Sequence, residues 1–144
     1  RQRQMCIRDR RRAIGLLQEE SSLLEIVRLV GRDTLSDGDQ LKLDITKSLR
    51  EDFLQQNAFN DIDTYCSLNK QYKMLDTILK FYDAGLKALE KGAYLKEIEE
   101  SPVIDKIARM KYIAEENISN IDSLQEEIAK EMKSLERGGT EEDA

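Results

Sequence analysis

Leu41, Ile45, Leu49 and Phe53 recur every four residues through a stretch that holds neither glycine nor proline, which is the spacing of a helix with one apolar side. No stretch of the chain sustains the alternation that a strand requires, and no internal repeat is evident. With one proline among 144 residues and 6% aromatics, the composition agrees with helices throughout. The expected fold class is all-α: a helical bundle in which apolar stripes on successive helices bury one another.

The element signals support that reading. From Ala13 to Val30 the apolar residues Leu16, Leu17, Leu23, Leu24, Ile26, Val27, Leu29 and Val30 predict a first helix with a broad apolar side, interrupted by Gln18-Glu19-Glu20-Ser21-Ser22. Gly31 supplies its stop. After a corner at Arg32-Asp33-Thr34-Leu35, Ser36 caps the second helix, with Asp39 at the capping-box position. Ser67 is placed to cap a long third helix carrying Leu68, Tyr72, Leu75, Ile78, Leu79, Tyr82, Leu86 and Leu89 on one side, ended by Gly92. Ser101-Pro102 pairs a cap with a proline at the first helical position and opens a short helix through Ile104, Ile107 and Ala108. A last helix from about Ser119 to Arg137 places Ile121, Leu124, Ile128, Met132 and Leu135 three or four residues apart.

Composition narrows the function classes. A formal net charge of −6 and a pI near 4.9 argue against a nucleic-acid partner, because phosphate binding needs a basic surface that releases counterions. Such a surface suits a basic protein partner instead. No apolar run is long enough to span a bilayer, and no signal peptide is read at the start, so membrane association is expected only through other subunits. There is no histidine, and Cys6 and Cys66 make no disulfide framework, which fits a reducing, cytoplasmic setting. No Gly-x-x-x-x-Gly-Lys-Ser/Thr loop and no metal-spaced ligand set occurs, so no catalytic residue and no metal site is expected. Glu97, Glu99, Glu100, Glu126 and Glu127 read as solvated helix faces. Cys66 reads as a small packing residue, as do Tyr65, Tyr72 and Tyr82.

The most distinctive chemistry lies in Arg50-Glu51-Asp52-Phe53-Leu54-Gln55-Gln56-Asn57-Ala58-Phe59 and the following Asn60-Asp61-Ile62-Asp63-Thr64-Tyr65-Cys66-Ser67. A helix ends in consecutive side-chain amides between two aromatics. Such an edge offers hydrogen bonds and a stacking face to a flat heteroaromatic such as a nucleobase. Equally, it reads as a connector whose amides cap neighbouring backbone.

Phe53 to Phe59 resembles a signature of the C-terminal domain of the catalytic A subunit of V-type and archaeal or bacterial A-type rotary ATPases. The segments Leu16-Leu17-Gln18-Glu19-Glu20 and Leu23 to Gly31 resemble the family's first C-terminal helix. Asp63-Thr64-Tyr65-Cys66-Ser67-Leu68, Lys70-Gln71-Tyr72 and Ile107-Ala108-Arg109-Met110-Lys111-Tyr112 are similar to its later segments, in order.

The resemblance implies a part of an ATP-hydrolysing or ATP-synthesising subunit whose phosphate loop lies in another domain. It implies ATP or ADP with Mg²⁺ as ligands of the intact machine, coupled to proton or sodium transport. Its partners would be B subunits, in an alternating hexamer of three A and three B subunits, and the subunits of a central stalk. By the same resemblance, Gln56, Asn57, Ala58 and Phe59 form one wall of the adenine pocket, with Phe59 on the base and the two amides near its polar edge. The corner Asp33, Thr34, Leu35, Ser36, Asp37, Gly38 and Asp39 resembles the acidic corner through which such subunits touch the rotor, with Gly38 smaller than the residue often found there. Without the family, that corner is an ordinary capped surface turn.

Three segments are expected. Residues 1–10 contain Gln4-Met5-Cys6-Ile7-Arg8-Asp9-Arg10, which resembles a translated sequencing-library adapter and is set aside as non-native. Residues 11–137 form the helical domain, and 138–144 an acidic frayed tail. A rival class of function is a freestanding helical adaptor that binds another protein through its last helix. A free nucleotide-binding bundle is disfavoured by the lack of a phosphate cradle.

Overall fold

The computed structural model describes residues 2–54 and 68–137, and among them every regular element is helical. Helix α1 spans Gln2–Val30 and is followed by a 3-10 turn at Arg32–Thr34. Helix α2 spans Asp37–Ser48 and runs on as a π-turn over Leu49–Leu54. Then come α3 (Leu68–Glu90), α4 (Leu95–Glu99), α5 (Pro102–Arg109) and α6 (Ser119–Leu135), with 3-10 turns at Met110–Tyr112 and Glu115–Asn117.

The boundaries follow from local chemistry. Gly31 and Gly92 adopt φ of 95° and 96°, a left-handed backbone that costs glycine little and ends α1 and α3 where expected. Ser36 Oγ accepts the Asp39 backbone N–H at 3.2 Å, and Ser101 Oγ accepts that of Val103 at 3.4 Å, ahead of Pro102. Helix α4 was not legible beforehand, since only Leu95 and Ile98 are apolar over its five residues.

Helix α3 is the axis of the bundle, packed against α1, α2 and α6. Its Leu75, Ile78 and Leu79 meet Leu41, Ile45 and Leu49 from the α2 side and Ile121, Leu124, Ile128 and Met132 from α6. Val103 and Ile107 of α5, with Met110, complete one continuous core. Burying an aliphatic side chain of this size stabilises by about 1.5–3 kcal/mol over leaving it exposed, so these stripes dominate the fold's energetics. The apolar side of α6 is spent inside the bundle. That removes the basis of the adaptor reading, which needed this stripe for a partner.

Helix α1 departs from expectation in two ways. It starts at Gln2 rather than near Ala13, and only part of its apolar surface is inside. Ala13 and Leu16 are buried, whereas Leu24, Ile26, Leu29 and Val30 are exposed. Glu20 is the last buried residue of α1, and the turns after it are at most partly covered. The supposed interruption at Gln18–Ser22 also contains a packed residue. Glu20 is buried and accepts hydrogen bonds from Thr46 Oγ1 at 3.0 Å and Arg50 Nη2 at 2.6 Å, locking α1 to α2.

Tyr82 is buried beneath the Arg12 guanidinium, 5.8 Å from the ring centre, and Tyr72 is half-buried, so both pack as expected. Tyr65, Cys66, Ser67 and the tail at 138–144 lie outside the described residues, as does the side chain of Phe53.

Candidate functional site

The acidic corner is built by the 3-10 turn and the first turn of α2. Thr34 Oγ1 donates to Gly31 O at 2.7 Å, and Gln40 Nε2 donates to Leu35 O at 3.0 Å, fixing the path of the chain. Leu35 is buried and Gly38 faces the bundle, where a β-carbon would stand 3.4 Å from Leu86. Asp33, Thr34, Ser36 and Asp37 are left exposed, and Asp39 is half-buried with Lys42 3.9 Å away. The turn therefore presents carboxylates outward while its apolar members anchor it.

An ionic junction that the sequence did not announce holds this corner to the rest of the fold. Arg32 Nη2 donates to Asp44 Oδ1 of α2 at 2.9 Å, to Glu99 Oε2 of α4 at 2.7 Å and to Gln40 O at 3.2 Å. Burial, reinforced by the neighbouring Glu99 carboxyl, pushes Asp44 up to about 7. Glu99 is drawn the other way: its burial is outweighed by hydrogen bonds from Asp44 and Arg32, which lower it. Of the two carboxyls Asp44 is the one driven toward its protonated form, and its Oδ2 is buried with no hydrogen-bond partner. Beside them a cleft of about 240 Å³ runs between a polar rim, Asp44, Lys47 and Glu99, and an apolar floor of Ile45, Phe81 and Ile107.

Glu99 is therefore no plain solvated carboxylate, and two other expected surface acids are also engaged. Glu97 receives both Arg137 nitrogens, at 2.6 and 2.9 Å, while that guanidinium lies 4.4 Å from the centre of the Tyr94 ring. Glu127 pairs with Lys106. Glu100 and Glu126 are exposed, as expected. Sequence spacing misses these pairs because each joins residues 21 to 67 positions apart.

Gln56, Asn57, Ala58 and Phe59 lie outside the described residues, so the proposed adenine wall has no geometry here. Among the described residues no group of histidine, cysteine and carboxylate side chains is arranged to hold a metal, and no helix is long and apolar enough to cross a membrane.

Residues 7–99 match the family model described as the C-terminal domain of V and A type ATP synthase. The V-type ATP synthase alpha chain 1 of Clostridium tetani (strain Massachusetts / E88) is 57% identical over 131 residues, 90% of this chain and 22% of that one. The V-type ATP synthase alpha chain of Clostridium botulinum (strain Hall) is 59% identical over 129 residues, 89% of this chain and 22% of that one. That of Clostridium perfringens (strain SM101) is 59% identical over 126 residues, 88% and 21% respectively. The chain spans about a fifth of the length of these curated relatives. A family match over most of the residues, together with this identity across nine tenths of the chain, makes it a member of the C-terminal domain family of V- and A-type ATP synthases.

Proposed function

We propose that the chain works as the C-terminal lever of a rotary ATP synthase catalytic subunit. The observation that carries this reading is the identity of 57–59% to alpha chains of V-type ATP synthases across nine tenths of the chain. ATP or ADP with Mg²⁺ would be held chiefly by a nucleotide-binding domain outside this sequence, with the chain contributing the wall Gln56, Asn57, Ala58 and Phe59. Nucleotide at that wall favours a closed position of the bundle, and the corner Asp33–Asp39 passes the shift to a central stalk. B subunits would flank the site in the assembled soluble sector, so contact with the membrane is indirect.

Reading the source gene upstream of the Arg11 codon, free of any library adapter, tests this directly. An open frame reaching a Gly-x-x-x-x-Gly-Lys-Thr type loop is expected, and the same read shows whether residues 1–10 belong to the gene. A start codon beside Arg11 would overturn the reading.

The adenine wall has its own test. Phe59→Ala in the full-length subunit is expected to weaken nucleotide affinity by about 1–2 kcal/mol, roughly five- to thirty-fold, through loss of stacking area. Hydrolysis at saturating nucleotide should persist, because phosphate chemistry belongs elsewhere. Unchanged affinity in a nucleotide titration would remove Phe59 from the pocket.

A further inference from the structure

The last turns of α1 leave aliphatic side chains in water with a definite geometry. Ile26, Leu29 and Val30 stand at i, i+3 and i+4, so they share one flank of the helix, and they are 41%, 74% and 61% exposed. Leu29 lies opposite buried Glu20, whereas Val30, fourteen residues after buried Leu16, falls close to that residue's line, so the flank is open to solvent at the end of α1 rather than all on its outer side. An apolar trio at this spacing is what a partner helix uses as an anchor row.

The 3-10 turn carrying Asp33 packs against the end of α1, and Asp37 opens α2 directly after it. Among the described residues no salt bridge reaches Asp33 or Asp37. The nearby cations are already engaged: Arg32 by Asp44 and Glu99, and Arg28 by Glu25. Apolar surface thus borders two exposed carboxylates, Asp33 beside the Arg32 charge and Asp37 in the first turn of α2.

We infer that Ile26, Leu29 and Val30, together with Asp33 and Asp37, form a single docking face for a helix that carries aliphatic side chains flanked by lysines or arginines. The inference deepens the rotor-contact reading and rests on it: the contact is amphipathic, with the aliphatic trio as its anchor and the carboxylates setting approach and register. A purely electrostatic corner would need no such trio, and a purely apolar one would have no use for two exposed carboxylates at its edge.

The test uses the full-length subunit in its assembled complex, with a photocrosslinking residue placed either at Leu29 or at Asp37 and the products identified by mass spectrometry. Both positions are expected to link to the same stalk helix, within a segment bearing aliphatic and basic residues. Leu29→Ser with Val30→Ser should reduce the link from position 37 by about tenfold, as loss of an anchor pair does. Links from position 29 to the nucleotide-binding part of the same subunit, or to a B subunit, would overturn the inference while a stalk link from position 37 kept the rotor reading intact. Absence of a stalk link from either position would overturn both. Since the position-29 link is recorded without the serine substitutions, failure of that double variant to assemble leaves the answer standing.

Discussion

Leu41→Ala is expected to destabilise the fold by about 3 kcal/mol, the largest single loss anticipated on α2. Leu41 is fully buried, and it meets α3 at the one place where that helix has no side chain. A β-carbon on Gly85 would stand 2.8 Å from Leu41 Cδ2 and 3.8 Å from Ile98 Cγ2, so α2, α3 and α4 converge there. Gly85→Ala alone should therefore destabilise by about 1–3 kcal/mol through overpacking, although alanine favours a helix by about 1 kcal/mol over glycine. In the double variant the new methyl partly fills the space Leu41 vacates, and the combined loss should fall below the sum of the two. Denaturant titrations of the four proteins give the coupling directly. A neutral or stabilising Gly85→Ala would mean the close approach of α2 and α3 is absent.

The second large effect is on pH dependence. In the folded chain Asp44 keeps its proton up to about 7, whereas an unfolded aspartate releases it near the ordinary 3.8. A raised carboxyl favours the folded state most where both states are protonated, below about 4, and that advantage is lost as pH climbs to about 7. Glu99, whose folded value is lowered, works oppositely: its contribution is present above the ordinary value of 4.5 and is lost as pH falls through the lowered one. Between pH 4 and 7 the Asp44 effect prevails, and unfolding free energy should drop by about 1–3 kcal/mol, screening by the partly exposed Arg32 included. Asp44→Asn keeps an acceptor for Arg32 and adds a donor toward Glu99 without a titrating proton, so its stability should fall less steeply over that window, leaving the smaller decline due to Asp9, which burial and the neighbouring Asp76 raise to about 6. Parallel curves for the two proteins would show that Asp44 is not the group whose titration drives the drop.

Much of the bundle was legible because each signal was local. The four-residue rhythm of Leu41, Ile45 and Leu49, the glycine stops at Gly31 and Gly92, and the Ser36 and Ser101 caps each depend on neighbours within a turn, and each is realised. What escaped depends on tertiary neighbours. Whether Leu29 is core or surface is decided by which side of α1 its neighbours cover, not by its own spacing. The Arg32 junction unites a turn, the middle of α2 and the end of α4, and Glu99 looked like any other surface acid until those elements met. The corner itself was read from its residues, and the structure adds which of them point outward. The amide segment at Gln56–Phe59 carries the strongest sequence signature and lies outside the described residues, so its reading rests on chemistry and family alone.

A lever of the proposed kind separates chemistry from motion. Asp33, Asp37 and Asp39 would be changed together to asparagine in the whole reconstituted complex, with nucleotide affinity, ATP hydrolysis and ion pumping followed in one preparation. Ions moved per ATP should fall severalfold while nucleotide affinity holds, because the corner is proposed to bear on the stalk and not on the nucleotide. Equal loss of affinity and pumping, or pumping that matches the unaltered complex, would contradict the lever role.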